Sequence, residues 1–518
     1  MNAIAMSRRH FLAGAAAAAT ALTLRPGLSY AVDGDTLIVR GASDIEILDP
    51  AFQNGLMEEE IGRCLFVSLN RLDDVREGVN WKPYAASELK QKSPTEIEFT
   101  LQDWLVWTGD FGPVTAEDVK FSFERVANPD NASAWAYAFD ALKEVEVTGE
   151  RTGIIHLKAP SAAFWVTTLP YYMGHIVCKK AVEAAGGRFT TEVPASAGPY
   201  LIEKWVPKQS LTLVSNPAWK GEKPTFAKVQ FQIVTDDEAA ALAYESKAID
   251  FAKISLYTLS TYKTALPEKT SLIQMDGTRL SWLAINVNNP KLADEKIRRA
   301  IQYAIDVSQI MDGSYSGLAA PATGVVPPAL VGHREAILYP ADAAKAQELL
   351  DEAGVSGLTL ELAAQNDKTS QLTCQIIQAL LGAVGITVDI KAYDDGVYWT
   401  LGDKTAGDTW KTLELVLMNF AGGVDPSENL TWFRPVQVGV YNWSQFDSPE
   451  FEKLYQEGNA ETDQEKRGAI YRRMQDLMEE SGGFVFITHE TFAAVAREGL
   501  RPCILADGYL DVTRFSRA

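Results

Sequence analysis

The residues best suited to hold a molecule stand close together late in the chain. Between Asn419 and Trp443 the sequence gathers Asn419, Phe420, Trp432, Arg434, Tyr441, Asn442 and Trp443, and Trp107 adds another indole earlier. Such side chains bind rather than transform. Aromatic rings supply apolar area, with a polar handle on Trp and Tyr; amides both donate and accept; a guanidinium can clamp a carboxylate through two parallel hydrogen bonds. Each Trp taken alone suits a half-buried packing position equally well, and Arg434 a solvated surface, so the expectation rests on the cluster.

Catalytic constellations are missing. The chain carries no P-loop, GxGxxG, GxSxG elbow or HExxH. His156, His175, His333 and His489 are far apart, and Cys64, Cys178, Cys374 and Cys503 form no CxxC or zinc-ligand spacing. Neither an enzyme, a metal centre nor a cofactor is expected, and the cysteines are expected as buried free thiols. Acidic pairs abound, as they must with 68 Asp and Glu against 48 Lys and Arg, a net charge of -20. A polyanion of this kind is not expected to bind nucleic acid.

The elements that must position the cluster belong to a long chain. Its 518 residues exceed one ordinary core, so two or three lobes are expected. Residues 1–31 carry Arg8 and Arg9, no acidic residue, and a short small-residue apolar run from Phe11 to Leu24. They read as an export signal rather than a membrane span. Ser7-Arg8-Arg9-His10-Phe11-Leu12 resembles the twin-arginine address, and Ser29-Tyr30-Ala31 predicts cleavage before Val32, into the periplasm. Beyond that point, strands are predicted at 36–40, 95–101, 211–214, 229–234 and 280–287, with helices from Ala116, over 238–246 and after Asp294. From Pro340 onward, helices (341–353, 370–384) alternate with strands (358–362, 386–390), which suits crossover units on a largely parallel sheet. The fold class is mixed α/β.

Several segments follow one another in a recognisable order. They are Leu48-Asp49-Pro50, the stretch WLVWTGDFGPVTAEDVKFSFER from Trp104 to Arg125, Ala197-Gly198-Pro199-Tyr200, Ser215 to Gly221, LAINVNNPKLADEKIRRAIQYAIDVSQI from Leu283 to Ile310, Tyr339 to Ala346, Phe446 to Pro449 and Tyr471 to Gln475. In this order they resemble the family 5 extracellular solute-binding proteins of ABC importers, which include dipeptide-, oligopeptide- and nickel-binding proteins. The resemblance implies a fold like the type II periplasmic-binding proteins, with two lobes of mixed sheets, a two-strand hinge and an extra subdomain. Lobe I would comprise 32–71, 191–278 and 492–518, the subdomain 72–190 and lobe II 279–491. The hinge would lie near Trp282–Asn286 and Phe484–Thr488. It further implies a monomer that closes over a small polar solute and is recognised, closed, by membrane permease subunits whose partner ATPases do the work.

In peptide-binding relatives the motif G-W-x-x-D-x-x-(D/E)-P sets an Asp against the ligand's amino group. The matching stretch, Met418 to Pro426, has Gly422 at that place and no Trp. A buried ammonium without its carboxylate loses several kcal/mol. The departure therefore points away from ordinary free peptides toward a sugar- or opine-like solute, with Gly422 and Gly423 leaving room for it. The alternatives are a di- or oligopeptide binder in which Asp425 or Glu428 substitutes, or an enzyme or sensory receptor reusing the fold.

Overall fold

The computed structural model describes residues 36–53, 55–72, 81–133, 135–420, 422–461 and 463–517, so the predicted signal and its cleavage point lie outside the described residues. Ten strands form one continuous mixed sheet: β1 (Thr36–Gly41), β2 (Tyr200–Val206), β3 (Ser210–Ser215), β4 (Lys228–Ile233), β5 (Phe251–Lys253), β6 (Thr270–Ile285), β7 (Thr359–Gln365), β8 (Thr387–Tyr393), β9 (Leu415–Phe420) and β10 (Phe484–Arg497). Their spatial order is β8-β7-β9-β6-β10-β5-β1-β4-β3-β2. Parallel pairs occur at each end, β7 with β8 and β9, and β1 with β4 and β5. The sheet is less parallel than the alternation of elements suggested, because β6 and β10 run antiparallel through its middle and carry the chain between lobes.

Strand 280–287 of the sequence reading is the end of a 16-residue strand. Its first half, Thr270 to Arg279, has mostly partly exposed or exposed positions and so lacks the apolar alternation that marks its second half. Pairing between β6 and β10 runs from Thr270 with Arg497 to Asp276 with Thr491, breaks, and resumes at Leu280 with His489. A separate four-stranded antiparallel sheet (Ala86–Ser93, Glu96–Leu101, Thr152–Leu157, Leu142–Val147, in that order) builds the extra subdomain with helix α1 (Ala116–Ala127). Beyond it come α2 (Lys368–Ala383), α3 (Pro426–Leu430) and α4 (Gln464–Glu480).

The diagnostic sequence segments turn out to be structural joints. Asp49 of the Leu-Asp-Pro element is fully buried and takes both Nη groups of Arg125, the last residue of the WLVW…FER stretch, with Nη1 at 2.9 Å. Its Oδ2 also accepts the Phe189 N–H at 3.2 Å. Thr115 and Asp118 start α1 as predicted, and Asp118 accepts the Thr115 N–H at 2.9 Å. Gly198 lies so close to the Cys64 and Leu65 carbonyls that any Cβ would collide with them. Asn216 donates to the Gly198 carbonyl at 2.8 Å, joining the Gly-Pro-Tyr and Asn-Pro segments. All four cysteines are free; Cys64, Cys178 and Cys374 are buried, but Cys503 is partly exposed. No helix among the described residues is long and apolar enough to cross a membrane.

Val424 is 3% exposed and joins the apolar cluster otherwise built from Ala51 to Ala197 and from Leu505 and Ala506. On another side, Lys368 Nζ sits 5.7 Å from the ring of Tyr257. Replacing Arg125 with Met strands the Asp49 carboxylate in a dry interior. The expected cost is about 3–5 kcal/mol of unfolding free energy, read from urea unfolding of the purified chain.

Candidate functional site

The site is built where β9 ends and α3 begins. Asp425 caps α3, accepting the Ser427 N–H at 2.9 Å and its hydroxyl at 2.6 Å. The same carboxylate is held by Arg467 of α4, at 2.6 Å from Nη1 and 2.8 Å from Nη2. Both side chains are buried, and Arg467 also donates to the Gly458 carbonyl and the Tyr471 hydroxyl, each at 2.9 Å. Pro426 follows at the first helical position, where its missing N–H is harmless. Three residues into the turn stands Glu428.

Glu428 fills the space beside Gly423, where a Cβ would collide with its carboxyl group. Gly422 is equally crowded: a Cβ there would strike the Thr278 carbonyl and Asn429 Oδ1, and Thr278 Oγ1 donates to the Gly422 carbonyl at 2.7 Å. The two glycines therefore leave no room for a bulky solute, contrary to the expectation from sequence; the chain's own groups occupy it. Nor is Asp425 free to meet an ammonium, since Arg467 saturates it. Glu428 alone remains, and among the described residues no cation pairs with it. Burial first, then Asp425 and Asp507, push its carboxyl up to about 8, against weaker opposing hydrogen bonds from Val424 and Thr167.

Thr167 hydrogen-bonds the Glu428 carboxyl, and Asp507 stands near enough to add its charge. Tyr171 there donates its hydroxyl to Asp507. Behind them Glu59, fully buried, pairs with Arg63. Burial raises the Glu59 carboxyl to about 7, with Arg63 opposing and Asp507 adding to the rise. Tyr137 and Tyr172 also feel Glu428, so phenols face it from that side. Tyr137 is 53% exposed, yet burial is the first cause of its raised hydroxyl.

On the lobe II side stand the aromatics. Phe420, Trp432 and Tyr441 pack mutually, with centroids 5.3–5.5 Å apart. Trp399 stacks on Phe420 at 5.6 Å and 12°. The Trp432 indole N–H is buried without an acceptor. Of the residues singled out from sequence, Asn419, Phe420, Gly422, Trp432 and Tyr441 come together here. Trp443 is behind them, 3% exposed against Tyr398 and Trp399, donating to the Val440 carbonyl at 2.8 Å. Asn442 is buried and donates to the carbonyls of Phe433, Arg434 and Phe446.

Arg434 already has its carboxylate, Glu452, bound at 3.0 and 2.7 Å over the Tyr455 ring. Trp107 stands apart, 4% exposed in the subdomain core and donating to Asp118 at 3.2 Å. Sequence reasoning missed Trp399 and Tyr137 altogether, and named Glu428 only as an alternative. The signal available for Glu428 was its place two residues after Asp-Pro. Two surface hollows, about 520 and 410 Å³, lie elsewhere on lobe I, lined by segments such as Ser271–Met275 and Thr191–Val193. Neither is lined by Glu428 or by Phe420, Trp432 and Tyr441. Among the described residues no cluster of His, Cys, Asp or Glu is arranged to hold a metal ion.

The fold, a ten-stranded mixed sheet with β6 and β10 antiparallel through its middle, is that of the type II periplasmic-binding proteins. The family model "Bacterial extracellular solute-binding proteins, family 5 Middle" matches residues 80–437, and the chain belongs to that family. It is an extracellular or periplasmic substrate-binding component of an ABC transporter and works with that transporter's permeases. It is similar to the glutathione-binding protein GsiB of Salmonella typhi, 26% identical over 376 residues, 70% of each chain. Its fold matches the ABC transporter substrate-binding protein CtaP of Listeria monocytogenes, with TM-score 0.81 and 21% identity over 94% of this chain and 99% of that one. It also matches a dipeptide-binding protein of Pseudoalteromonas sp. SM9913 in complex with Met-Leu, with TM-score 0.77 and 18% identity over 93% and 100%.

Gly422→Asp puts back the residue that peptide-binding relatives carry, but into occupied space. It is expected to lose about 1–3 kcal/mol of stability without tightening binding, by thermal unfolding and calorimetry. An equally stable, tighter-binding variant would contradict the steric account.

Proposed function

We propose that this protein captures a short peptide-like solute whose ammonium group pairs with Glu428. One observation carries the reading: a carboxyl group, paired with no cation among the described residues, fills the space next to the very residue where the expected Asp is absent. A buried ammonium needs such a partner. Phe420, Trp432 and Tyr441, with Tyr137 opposite, offer apolar faces to the solute's side chains. Contact with both lobes then favours the closed state, which is what a permease can recognise. A sugar- or opine-like solute is not supported: the space at Gly422 and Gly423 is filled, a carboxyl stands there after all, and relatives are named for glutathione and dipeptides.

The pH dependence follows from the sign of the shift. With its carboxyl at about 8 in the empty protein, Glu428 is mostly protonated at pH 7, whereas pairing with an ammonium requires the carboxylate. Binding therefore releases a proton, and affinity rises with pH toward 8. Above that the solute's own α-amine, near pKa 8, begins to lose its charge. Calorimetry in buffers of different ionisation enthalpy is expected to show this release for a free dipeptide and none for its N-acetyl form. Glu428→Gln is expected to abolish the release and to weaken binding by about 2–5 kcal/mol. Undiminished affinity in that variant would end the proposal.

The N-terminal segment is read as a twin-arginine export signal. Replacing Arg8 and Arg9 with Lys is expected to leave the full-length chain in the cytoplasm, as judged by cell fractionation, and unchanged export would rule that route out.

A further inference from the structure

The first half of β6 leaves part of one face of the sheet uncovered. Along a strand, successive side chains point to opposite faces. Leu272 turns to the apolar cluster of Tyr244, Ile249, Ala493 and Val495. Ser271, Ile273 and Met275 therefore turn the other way, and none of the three is fully buried. With Gln274 they line a hollow of about 520 Å³. Small-molecule pockets measure about 300–1,000 Å³.

The facing wall is the chain's own C-terminal segment. After β10 ends at Arg497, Gly499 takes a φ of 84°, which a side chain would strain. Beyond that turn Leu500, Arg501, Pro502 and Ile504 line the same hollow. The wall is held in place by backbone bonds. Leu500 and Arg501 pair antiparallel with Arg517 and Ser516. The Asp511 N–H donates to the Cys503 carbonyl at 3.0 Å, and the Leu505 N–H to the Tyr509 carbonyl at 2.8 Å. The hollow is thus preformed, as ligand sites mostly are.

Its chemistry is lopsided. Ile273, Met275, Leu500, Pro502 and Ile504 supply apolar surface. Gln274 has spent its Nε2 on the Leu318 carbonyl at 3.1 Å. Arg501, exposed at the rim, is the one charged residue of the lining, and among the described residues no carboxylate pairs with it. Its guanidinium offers five donors in a rigid fork. Asp276, the single acid of β6, shares the face of Leu272 and so points away. An apolar floor with one uncommitted cation at its edge suits a molecule with an apolar tail and an anionic head.

We propose that this hollow is a second binding site, separate from the residues around Glu428, and that it takes a small amphipathic carboxylate. The tail lies on Ile273, Met275 and Ile504, and the Arg501 fork meets the head. Such a molecule joins β6, in the middle of the sheet, to the C-terminal segment.

The test is NMR of the purified chain carrying methyl-labelled methionine, with the Met275 signal assigned by its loss in Met275→Leu. Octanoate, hexanoate, octanol and octylamine are titrated in turn. Octanoate is expected to move the Met275 signal to saturation. Octanol is expected to bind about 10- to 100-fold more weakly, for want of the charge-assisted hydrogen bonds. Hexanoate is expected to be about 15-fold weaker than octanoate, for two methylenes not buried. Arg501→Gln, an exposed substitution whose fold circular dichroism checks, is expected to bring octanoate down to the level of octanol. Ile273→Glu is expected to abolish binding of both. A Met275 signal that octanoate leaves unmoved overturns the site. So does an octanoate affinity equal to that of octanol, or one that Arg501→Gln does not change. Octylamine binding more tightly than octanoate, as the net charge of -20 alone would dictate, overturns it as well.

Discussion

The structure around the cleft depends on one buried ion pair, Asp425 with Arg467. Buried salt bridges are weak evidence for stability, because desolvating two charges costs about as much as their attraction returns. What this pair supplies is geometry. A carboxylate held by two guanidinium nitrogens while it caps a helix has one orientation, so α3 can begin in one place only. Two residues before Asp425 stand the crowded Gly423 and then Val424, which reaches into the lobe I core; three residues after it stands Glu428. A single fixed point thus sets the apolar contact between lobes and the carboxyl that faces the gap.

Charge in that gap is unbalanced by design of the neighbours rather than by count. Asp49, Asp425 and Glu452 each have an arginine, and Glu60 has Lys253. Glu428 has none among the described residues, and Asp507 near it has the Tyr171 hydroxyl and the Tyr509 N–H. Protonation lets such a carboxyl stay buried at modest cost while the cleft is empty, because a neutral acid is far cheaper to desolvate than an ion. On the proposed function a solute cation replaces the proton, and binding, closure and proton release are parts of one equilibrium, in which the solute shifts a population that already exists.

The elements that made the family legible in sequence do not line the cleft. Asp49 with Arg125, Asp118 at the start of α1 and Gly198 against the Cys64 carbonyl lock the scaffold. They can be read because each needs a particular residue type: a paired charge, a cap, a missing Cβ. Helix 343–352, capped by Asp342, and helix 368–383, capped by Asp367, were legible for the same reason, within two residues of their predicted starts. The first half of β6 was not, since a strand crossing between lobes has no single buried face to impose alternation.

The sequence by itself determined the α/β class, most strand and helix positions and the family. Those are local properties, carried by periodicity, caps and ordered motifs. Tertiary structure alone decided which charged groups are spent and which are free. Arg434 and Asp425 looked available until Glu452 and Arg467, 18 and 42 residues away, were seen to hold them. Glu428, named from sequence only as an alternative, is left without a cationic partner among the described residues. Whether a charge can serve a ligand depends on what else stands within hydrogen-bond reach, and that is settled by residues remote in the chain that only folding brings together.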